Sequence, residues 1–201
     1  MRPSPETLLR PYIRAIVPYT PGEQWQKPGI LKLNTNENPY PPAPEVLQAI
    51  RDAVDDRLRR YPNPTSAALR EALAAFHGVS PANILVGNGS DEILALVIRA
   101  FVEPSSAGSV DPSAVVQYFQ PSYSLYPVLC RAAGVPAHAV SLSETFDIPS
   151  EDALESEGQW RRDAALTLVT TPNAPSGRGY STDRLRALCQ GLRGAVLLDE
   201  A

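Results

Sequence analysis

The sequence predicts an α/β fold, in which a mostly parallel β-sheet is covered by helices on both faces. Two observations lead to this prediction. From residue 84 onward, short apolar runs alternate with stretches whose apolar residues recur at helical spacing. The last apolar run, Val196-Leu197-Leu198, is typical of a buried strand and is followed directly by Asp199. An acid at the carboxyl end of such a strand lies where open α/β sheets place the groups that contact ligands.

Two regions of different character precede this alternation. Residues 1–44 are rich in proline and irregular, which predicts an extended arm that lies on another surface, because it has no periodic apolar face of its own. Two amphipathic helices follow, with apolar residues at helical spacing at Val46, Leu47, Ile50, Val54 and Leu58 and then at Leu69, Leu73 and Phe76. We therefore predict an arm over residues 1–44 and an incomplete α/β domain over residues 45–201.

The remaining elements follow from the alternation. The apolar runs predict five strands, at residues 84–86, 114–118, 137–140, 166–170 and 195–198. The stretches between them predict four helices, at residues 91–102, 123–133, 151–157 and 182–190. The helix over residues 91–102 is apolar nearly all round, so we expect it to be central rather than superficial.

Composition and charge argue against several classes of function. The 201 residues carry a net charge of −4 with a pI near 5.2, so the chain offers no basic field for a nucleic acid. The proline-broken beginning has no apolar run like that of a signal peptide or membrane anchor, which favours a cytoplasmic protein with no membrane partner. Cys130 and Cys189 are interpreted as buried thiols. His77 and His138 have no ligand-type neighbours at metal spacing, so no metal centre is predicted.

A glycine-rich turn opens the central helix. Its sequence is Gly87-Asn88-Gly89-Ser90-Asp91-Glu92. The glycines allow a tight turn, and the free N–H groups at the helix start would suit a phosphate. The turn is not a dinucleotide fingerprint, because Glu92 stands where a third glycine is needed, and it lacks the lysine of a nucleotide P-loop. Taken alone, the pattern could also be a simple capped turn.

Further segments at strand ends and in loops accompany this turn. They are Tyr61-Pro62-Asn63-Pro64, Pro121-Ser122-Tyr123-Ser124-Leu125-Tyr126, Thr171-Pro172-Asn173-Ala174-Pro175-Ser176-Gly177, Asp199-Glu200-Ala201 and, in the arm, Asn34-Thr35-Asn36-Glu37-Asn38-Pro39-Tyr40. In this order and spacing, from about residue 30 to the end, the set resembles the fold-type I, class II pyridoxal-phosphate aminotransferases, and most closely the histidinol-phosphate aminotransferases. The resemblance implies the large α/β domain of that fold, pyridoxal 5'-phosphate as cofactor and a homodimer.

The resemblance also implies individual cofactor contacts. The turn at Gly89, Ser90 and Asp91 matches the one that holds the cofactor phosphate, in agreement with the argument from the helix start. Tyr123 matches the aromatic side chain that stacks on the pyridine ring, although a tyrosine there could also be a core residue. Tyr61 matches the residue that reaches the cofactor phosphate of the neighbouring subunit, and its alternative role is to pack at a helix entry.

Asp199 matches the carboxylate that pairs with the protonated pyridine nitrogen. A buried anion there keeps the ring cationic, so that the ring can accept charge from a carbanion. The family commonly reads Pro-Asn-Asn-Pro-Thr-Gly, and its second Asn bonds the phenolic oxygen of the cofactor. This chain has Ala174 at that position, and an alanine cannot donate that bond. The adjacent Asn173 is carried as a candidate substitute, although it could equally cap the turn.

No lysine in the chain matches the one that forms the Schiff base with the cofactor. The family places that lysine beyond the Asp-Glu-Ala segment, whereas this chain has only Lys27 and Lys32, both in the arm. The arginines that grip the substrate carboxylate also come from the family's carboxyl-terminal part, and Arg178 is interpreted as a solvated loop residue. We therefore interpret the chain as an amino-terminal portion that is inactive alone.

The resemblance implies a reaction and leaves alternatives open. The complete enzyme would transfer an amino group between histidinol phosphate, an amino-alcohol phosphate, and the keto acid 2-oxoglutarate in histidine biosynthesis. Related enzymes of the same fold act on aromatic amino acids or are phosphothreonine-type decarboxylases, and nothing in the sequence separates these. A different class of hypothesis treats the chain as a non-catalytic remnant.

Overall fold

A computed structural model of the protein describes residues 8–19, 21–23, 27–104, 111–156 and 160–201. The chain divides into two compact units. The first, here called the sheet unit, comprises Met1–Tyr19 and Gly87–Ala201, and the second, here called the helical unit, comprises Thr20–Val86. These units are defined by compactness, whereas the predicted arm over residues 1–44 and domain over residues 45–201 were defined by composition and periodicity. The predicted boundaries therefore stay a prediction. Residues 1–7, 20 and 24–26 of the predicted arm and residue 157 of a predicted helix lie outside the described residues.

The helical unit contains the two predicted amphipathic helices, but the first is shorter than expected. Helix α2 covers Pro44–Asp52, and a separate 3₁₀ turn covers Asp56–Arg59. The helix stops because the side chain of Asp55 accepts a hydrogen bond from the backbone N of Arg57 at 2.8 Å and so starts a new turn. Helix α3 covers Ala67–His77 and is followed by a 3₁₀ turn at Pro81–Asn83.

The predicted strand at residues 84–86 is not formed. Ile84 has extended backbone angles, with φ −110° and ψ 125°, but within the described residues this segment joins no strand ladder. The side chain of Arg70 takes the place of a neighbouring strand, because its Nε donates to the backbone oxygen of Ile84 at 2.9 Å. An apolar run of three residues specifies an extended shape but not a partner, which explains the wrong prediction.

The sheet unit begins with the short helix α1, Pro11–Arg14, and continues with alternating helices and strands. These are α4 (Ser90–Phe101), β1 (Val116–Gln120), α5 (Tyr126–Ala133), β2 (Ala137–Ser141), α6 (Glu151–Ser156), β3 (Leu166–Thr170), α7 (Thr182–Gly191) and β4 (Ala195–Asp199). The four strands form one parallel sheet in the order β2-β1-β3-β4. The predicted parallel sheet is therefore confirmed with four strands in place of five.

Helices cover both faces of this sheet, as predicted. The core on one face includes residues of α4, α5, β1 and β3, together with Val102 just after α4 and Val135 just after α5: Leu94, Ile98, Val102, Val116, Tyr118, Tyr126, Cys130, Val135, Leu166 and Leu168. The core on the other face is formed by Phe119, Val140, Leu142, Ile148, Leu154, Val169 and Leu188. Successive residues of β1 and β3 thus serve opposite cores, as the pleat of a strand requires.

Helix α4 is less central than its sequence suggests. Leu94 and Ile98 are almost completely buried, but Leu96 is 42% exposed and Phe101 is 56% exposed. The helix therefore buries one face and leaves apolar residues on the other uncovered. The arm is also not wholly extended, because α1 forms and packs against α5. In the described part of the chain, no helix is long and apolar enough to cross a bilayer.

Candidate functional site

The carboxyl ends of the parallel strands lie at one edge of the sheet and carry polar groups. Thr170, the last residue of β3, is the register partner of Asp199, the last residue of β4. The loop that follows β1 contains Ser122 and Tyr123, and the loop that follows β3 contains Asn173. Parallel pairing alone brings these residues to one edge, which is where α/β sheets bind ligands.

Asp199 is a buried carboxylate with defined partners. Its side chain is at the end of β4 and the residue is only 6% exposed. The hydroxyl of Tyr126 donates to Oδ2 at 2.6 Å, and the backbone N of Ala201 donates to Oδ1 at 3.2 Å. The same Tyr126 hydroxyl lies 2.7 Å from Oγ1 of Thr170. These bonds compensate a buried anion that would otherwise be costly to remove from water.

Tyr126 is the first residue of α5 and is completely buried. Burial raises its pKa above the ordinary value, and the hydrogen bond to Asp199 raises it further. The phenol therefore stays protonated at neutral pH and acts as a hydrogen-bond donor. Sequence reasoning did not single out Tyr126 or Thr170 as functional. The available signals were the position of Thr170 at a strand end and the tyrosine three residues after Tyr123.

The two glycines of the turn before α4 differ in how far they are required. A Cβ at residue 87 would lie 2.5 Å from Cδ1 of Ile93, so the Ile93 side chain would have to move to admit it. Gly89 has φ 81° and ψ 170°, a region that is essentially restricted to glycine. Glu92 accepts a hydrogen bond from the backbone N of Asn88 at 2.5 Å and so closes the turn.

The start of α4 is suited to an anion. Gly89 is the residue before the helix, and no side chain caps the helix start there. The first N–H groups of an α-helix have no partner within the helix and carry partial positive charge. Gly89, Ser90 and Asp91 lie at this helix start, and their contact with a phosphate stays a prediction.

Tyr123 connects the start of α4 to the buried carboxylate. Its hydroxyl donates to Oδ1 of Asp91 at 3.0 Å, and its ring centroid lies 5.7 Å from that of Tyr126 in an edge contact. A second edge contact, with 6.2 Å between centroids, joins it to Tyr19 of the arm. Burial raises the pKa of Tyr123, and the bond to Asp91 adds to this effect. Asp91, Tyr123, Tyr126 and Asp199 therefore form a continuous series of side-chain contacts.

Asn173 holds two loops together. Its Nδ2 donates to the backbone oxygen of Pro121 at 3.0 Å, and its Oδ1 accepts from the hydroxyl of Ser176 at 2.6 Å. Asn173 is 3% exposed. The structure thus gives Asn173 the turn-stabilising role that was the alternative interpretation, and its contact with a cofactor stays a prediction. Between Pro121 and Tyr123, the buried hydroxyl of Ser122 is the one buried side-chain polar atom without a partner among the described residues.

Three further residues of the sequence analysis are the candidate Tyr61 and the two residues that matched no family position, Lys32 and Arg178. Tyr61 belongs to the helical unit, where its side chain is fully exposed, so its predicted reach to a neighbouring subunit stays a prediction. Lys32 also belongs to the helical unit, and its Nζ bonds Oγ1 of Thr35 at 3.0 Å and pairs with Glu37. Arg178 is half exposed but not simply solvated, because its guanidinium forms two hydrogen bonds with the Asp147 carboxylate, at 2.7 and 2.9 Å.

Comparison with known proteins gives a consistent result. Residues 28–201 match the family described as aminotransferase class I and II. The chain is 40% identical over 190 residues to histidinol-phosphate aminotransferase 2 of Thiobacillus denitrificans, a match that covers 94% of this chain and 49% of that protein. It is 41% identical over 192 residues to histidinol-phosphate aminotransferase of Chromohalobacter salexigens, covering 95% and 50% of the two chains. The chain spans about half the length of the curated relatives it matches.

Solved structures agree with this result. Histidinol-phosphate aminotransferase from Sinorhizobium meliloti, in complex with pyridoxal-5'-phosphate, matches with a TM-score of 0.70 and 30% identity, over 83% of this chain and 43% of that chain. Aspartate aminotransferase from Thermotoga maritima matches with a TM-score of 0.66 and 25% identity, over 86% of this chain and 46% of that chain. Both similarities confirm the fold class predicted from the sequence.

Proposed function

Because the chain belongs to the aminotransferase class I and II family, we propose that its sheet unit forms part of a pyridoxal 5'-phosphate site. The observation that carries this proposal is the buried carboxylate of Asp199, which side-chain contacts link to the start of α4. A solved relative from Sinorhizobium meliloti that holds this cofactor supports the proposal.

The residues present suit the two charged ends of the cofactor. The helix start at Gly89, Ser90 and Asp91 has no side-chain cap, so its N–H groups can hold the phosphate. The Asp199 carboxylate is buried, its Oδ2 accepts from Tyr126 and its Oδ1 accepts a longer bond from the backbone N of Ala201, so Oδ1 has a lone-pair site left for a protonated ring nitrogen. Between these two groups in the series of contacts lies Tyr123, whose ring is proposed to stack on the pyridine.

When bound, the cofactor supplies an electron sink for negative charge that develops on a substrate carbon. The residues of this chain would orient it and set its charge. Asp199 would keep a proton on the ring nitrogen, Tyr126 would hold Asp199, and the N–H groups of α4 would bind the phosphate. Neither Lys27 nor Lys32, the chain's two lysines, matches the family's Schiff-base lysine, so the covalent attachment of the cofactor is not assigned to a residue of this chain.

We propose histidinol phosphate as amino donor and 2-oxoglutarate as amino acceptor of the whole protein. Two relatives at 40% and 41% identity are named for histidinol phosphate, which supports the donor. The same proposal includes a cytoplasmic homodimer in which Tyr61 of each subunit contacts the cofactor phosphate of the other. The exposure of the whole Tyr61 side chain leaves it available for such a contact.

Cofactor binding by the chain tests the proposed site. The dissociation constant of pyridoxal 5'-phosphate would be measured by equilibrium dialysis for the wild-type chain and Asp199→Asn. We expect the substitution to weaken binding by about 10- to 100-fold, because it removes a charge-assisted hydrogen bond. The matched control is Asp163→Asn, which changes an exposed aspartate of the same unit. Equal affinity of Asp199→Asn and Asp163→Asn would overturn the assignment of Asp199.

The substrate assignment needs the protein expressed from its native gene. Amino transfer from histidinol phosphate to 2-oxoglutarate would be compared with transfer from phenylalanine. We expect faster turnover with histidinol phosphate. Preference for phenylalanine would favour the aromatic aminotransferase, release of CO₂ without a keto acid would favour the decarboxylase, and no turnover with any substrate would favour the non-catalytic alternative.

A further inference from the structure

We propose that Tyr126 is a positioning residue, whose hydroxyl fixes the Asp199 carboxylate in the orientation required by the cofactor's ring nitrogen. This inference rests on the proposed function, because Tyr126 is proposed to orient Asp199, a residue of the proposed cofactor site. Tyr126 itself is not proposed to touch the cofactor. It acts through one oxygen of the carboxylate.

The ring of Tyr126 is held firmly in place. The residue is completely buried at the first position of α5. Its ring makes edge contacts with the ring of Tyr118, at 5.8 Å between centroids, and with that of Tyr123, at 5.7 Å. A buried aromatic side chain packed from two sides has few alternative rotamers. The hydroxyl of Tyr126 therefore has one well-defined position, at the carboxyl ends of the strands.

The hydrogen bonds of this hydroxyl have a definite direction. An ionised carboxylate can only accept, so the phenolic proton points to Oδ2 of Asp199, at 2.6 Å. The phenolic oxygen then accepts from Oγ1 of Thr170, at 2.7 Å. Thr170 and Asp199 are register partners on β3 and β4, so the two strands and α5 all converge on this hydroxyl. Hydrogen bonds in such a chain strengthen each other.

The two carboxylate oxygens of Asp199 differ in the hydrogen bonds that they already accept. Oδ2 carries the short bond from Tyr126. Oδ1 carries, among the described residues, one longer bond from the backbone N of Ala201 at 3.2 Å. A carboxylate oxygen has two lone-pair sites, so Oδ1 can still accept from a cationic N–H group. Without the Tyr126 hydroxyl, the longer Ala201 bond would be the one bond left on the carboxylate among the described residues, and the carboxylate would be held less firmly.

The test compares two tyrosines in the same core. Tyr126→Phe removes the hydroxyl and keeps the ring. The matched control, Tyr118→Phe, makes the same change in the neighbouring ring, whose hydroxyl has no bond to Asp199. We expect Tyr126→Phe to bind pyridoxal 5'-phosphate about tenfold more weakly than wild type, the scale on which loss of an outer-shell partner weakens a site. Tyr118→Phe should bind within about twofold of wild type.

A second measurement needs no cofactor. The backbone N–H of Ala201 bonds Oδ1, so its NMR signal reports the orientation of the Asp199 carboxylate. We expect this signal to shift or broaden in Tyr126→Phe and to stay in place in Tyr118→Phe. An unchanged Ala201 signal in Tyr126→Phe would overturn the inference whether or not the chain binds the cofactor. A shifted signal with wild-type affinity would overturn the part that concerns the cofactor.

Failure of the proposed function would look different. If Asp199→Asn binds the cofactor as well as wild type, the site itself is wrongly assigned. If Asp199→Asn weakens binding but Tyr126→Phe does not, the site stands and only the positioning role of Tyr126 is overturned. Circular dichroism of each variant separates both results from loss of the fold.

Discussion

Gly194, the residue before β4, lies so close to the backbone just before β3 that Gly194→Ala should disturb the sheet. A Cβ at residue 194 would lie 2.0 Å from the backbone oxygen of Ala164 and 2.7 Å from that of Ala165. Ordinary van der Waals contact begins at 3.4 Å, so the strands would have to separate by about 1.4 Å. Because the opposing atoms belong to the backbone, no side-chain rotation can relieve the overlap.

The expected cost follows from this separation. The hydrogen bond from the backbone N of Ala195 to the oxygen of Ala165, now 3.0 Å long, would be broken. Its loss costs about 1 kcal/mol, and overpacking costs a further 1–3 kcal/mol. We therefore expect Gly194→Ala to lower the free energy of unfolding by about 3 kcal/mol and the melting temperature by about 9 °C. Since β4 ends at Asp199, we also expect weaker binding of pyridoxal 5'-phosphate.

Urea unfolding followed by circular dichroism would measure this cost. The matched control is Gly179→Ala, because a Cβ at residue 179 meets no atom within 4 Å. We expect the control to stay within about 0.5 kcal/mol of wild type. If Gly194→Ala proved as stable as Gly179→Ala, the close approach of β3 and β4 at this point would be refuted.

Two further changes test the turn before α4 and the core of α5. Gly89→Ala forces φ 81° on a residue with a side chain, so we expect it to lower the free energy of unfolding by about 1–3 kcal/mol. We also expect it to weaken binding of pyridoxal 5'-phosphate more than binding of unphosphorylated pyridoxal. An equal loss of affinity for both ligands would contradict the phosphate role. Burial raises the pKa of Cys130 from 9.0 to about 12, so the stability it contributes is complete below pH 9 and is lost as the pH rises toward 12. Buried tyrosines with raised pKa values also lose stability as the pH approaches 10, so the test is the difference between variants. Between pH 8 and 10, wild type should lose about 1.4 kcal/mol more than Cys130→Ala loses, and the partly buried Cys189→Ala should lose as much as wild type. The same pH dependence in Cys130→Ala and wild type would exclude this thiol as its source.

Local patterns predicted most of the sheet unit. The strand at residues 166–170 lies where its apolar run indicated. A strand buried on both faces is a continuous apolar run, and such a run can be recognised without knowing which strands lie beside it. The resemblance to histidinol-phosphate aminotransferases is confirmed by the family match over residues 28–201 and by the curated relatives. The wrong predictions concern features that depend on partners. Residues 84–86 are extended but bond Arg70 in place of a strand, and α2 stops where Asp55 begins a new turn.

The candidate site shows the same distinction. The motifs indicated Asp199 and the turn at Gly89, because strand ends and helix starts carry recognisable residues. They did not indicate Tyr126 as the partner of Asp199, since the two residues are 73 positions apart and no local rule relates them. Asn173 illustrates the opposite case, because its place in a turn was clear and the structure alone showed that its amide ties the loop to Pro121.

The sequence by itself determined the alternation of helices and strands from α4 onward, the parallel sheet and the positions of a glycine-rich turn and a buried acid, because periodicity, glycine placement and strand-end residues are local properties of the chain. Only the tertiary structure decided which hydroxyl holds that acid. The reason is physical: a hydrogen bond of 2.6 Å depends on where α5 packs against β3 and β4, and that packing is the joint result of two cores on opposite faces of the sheet.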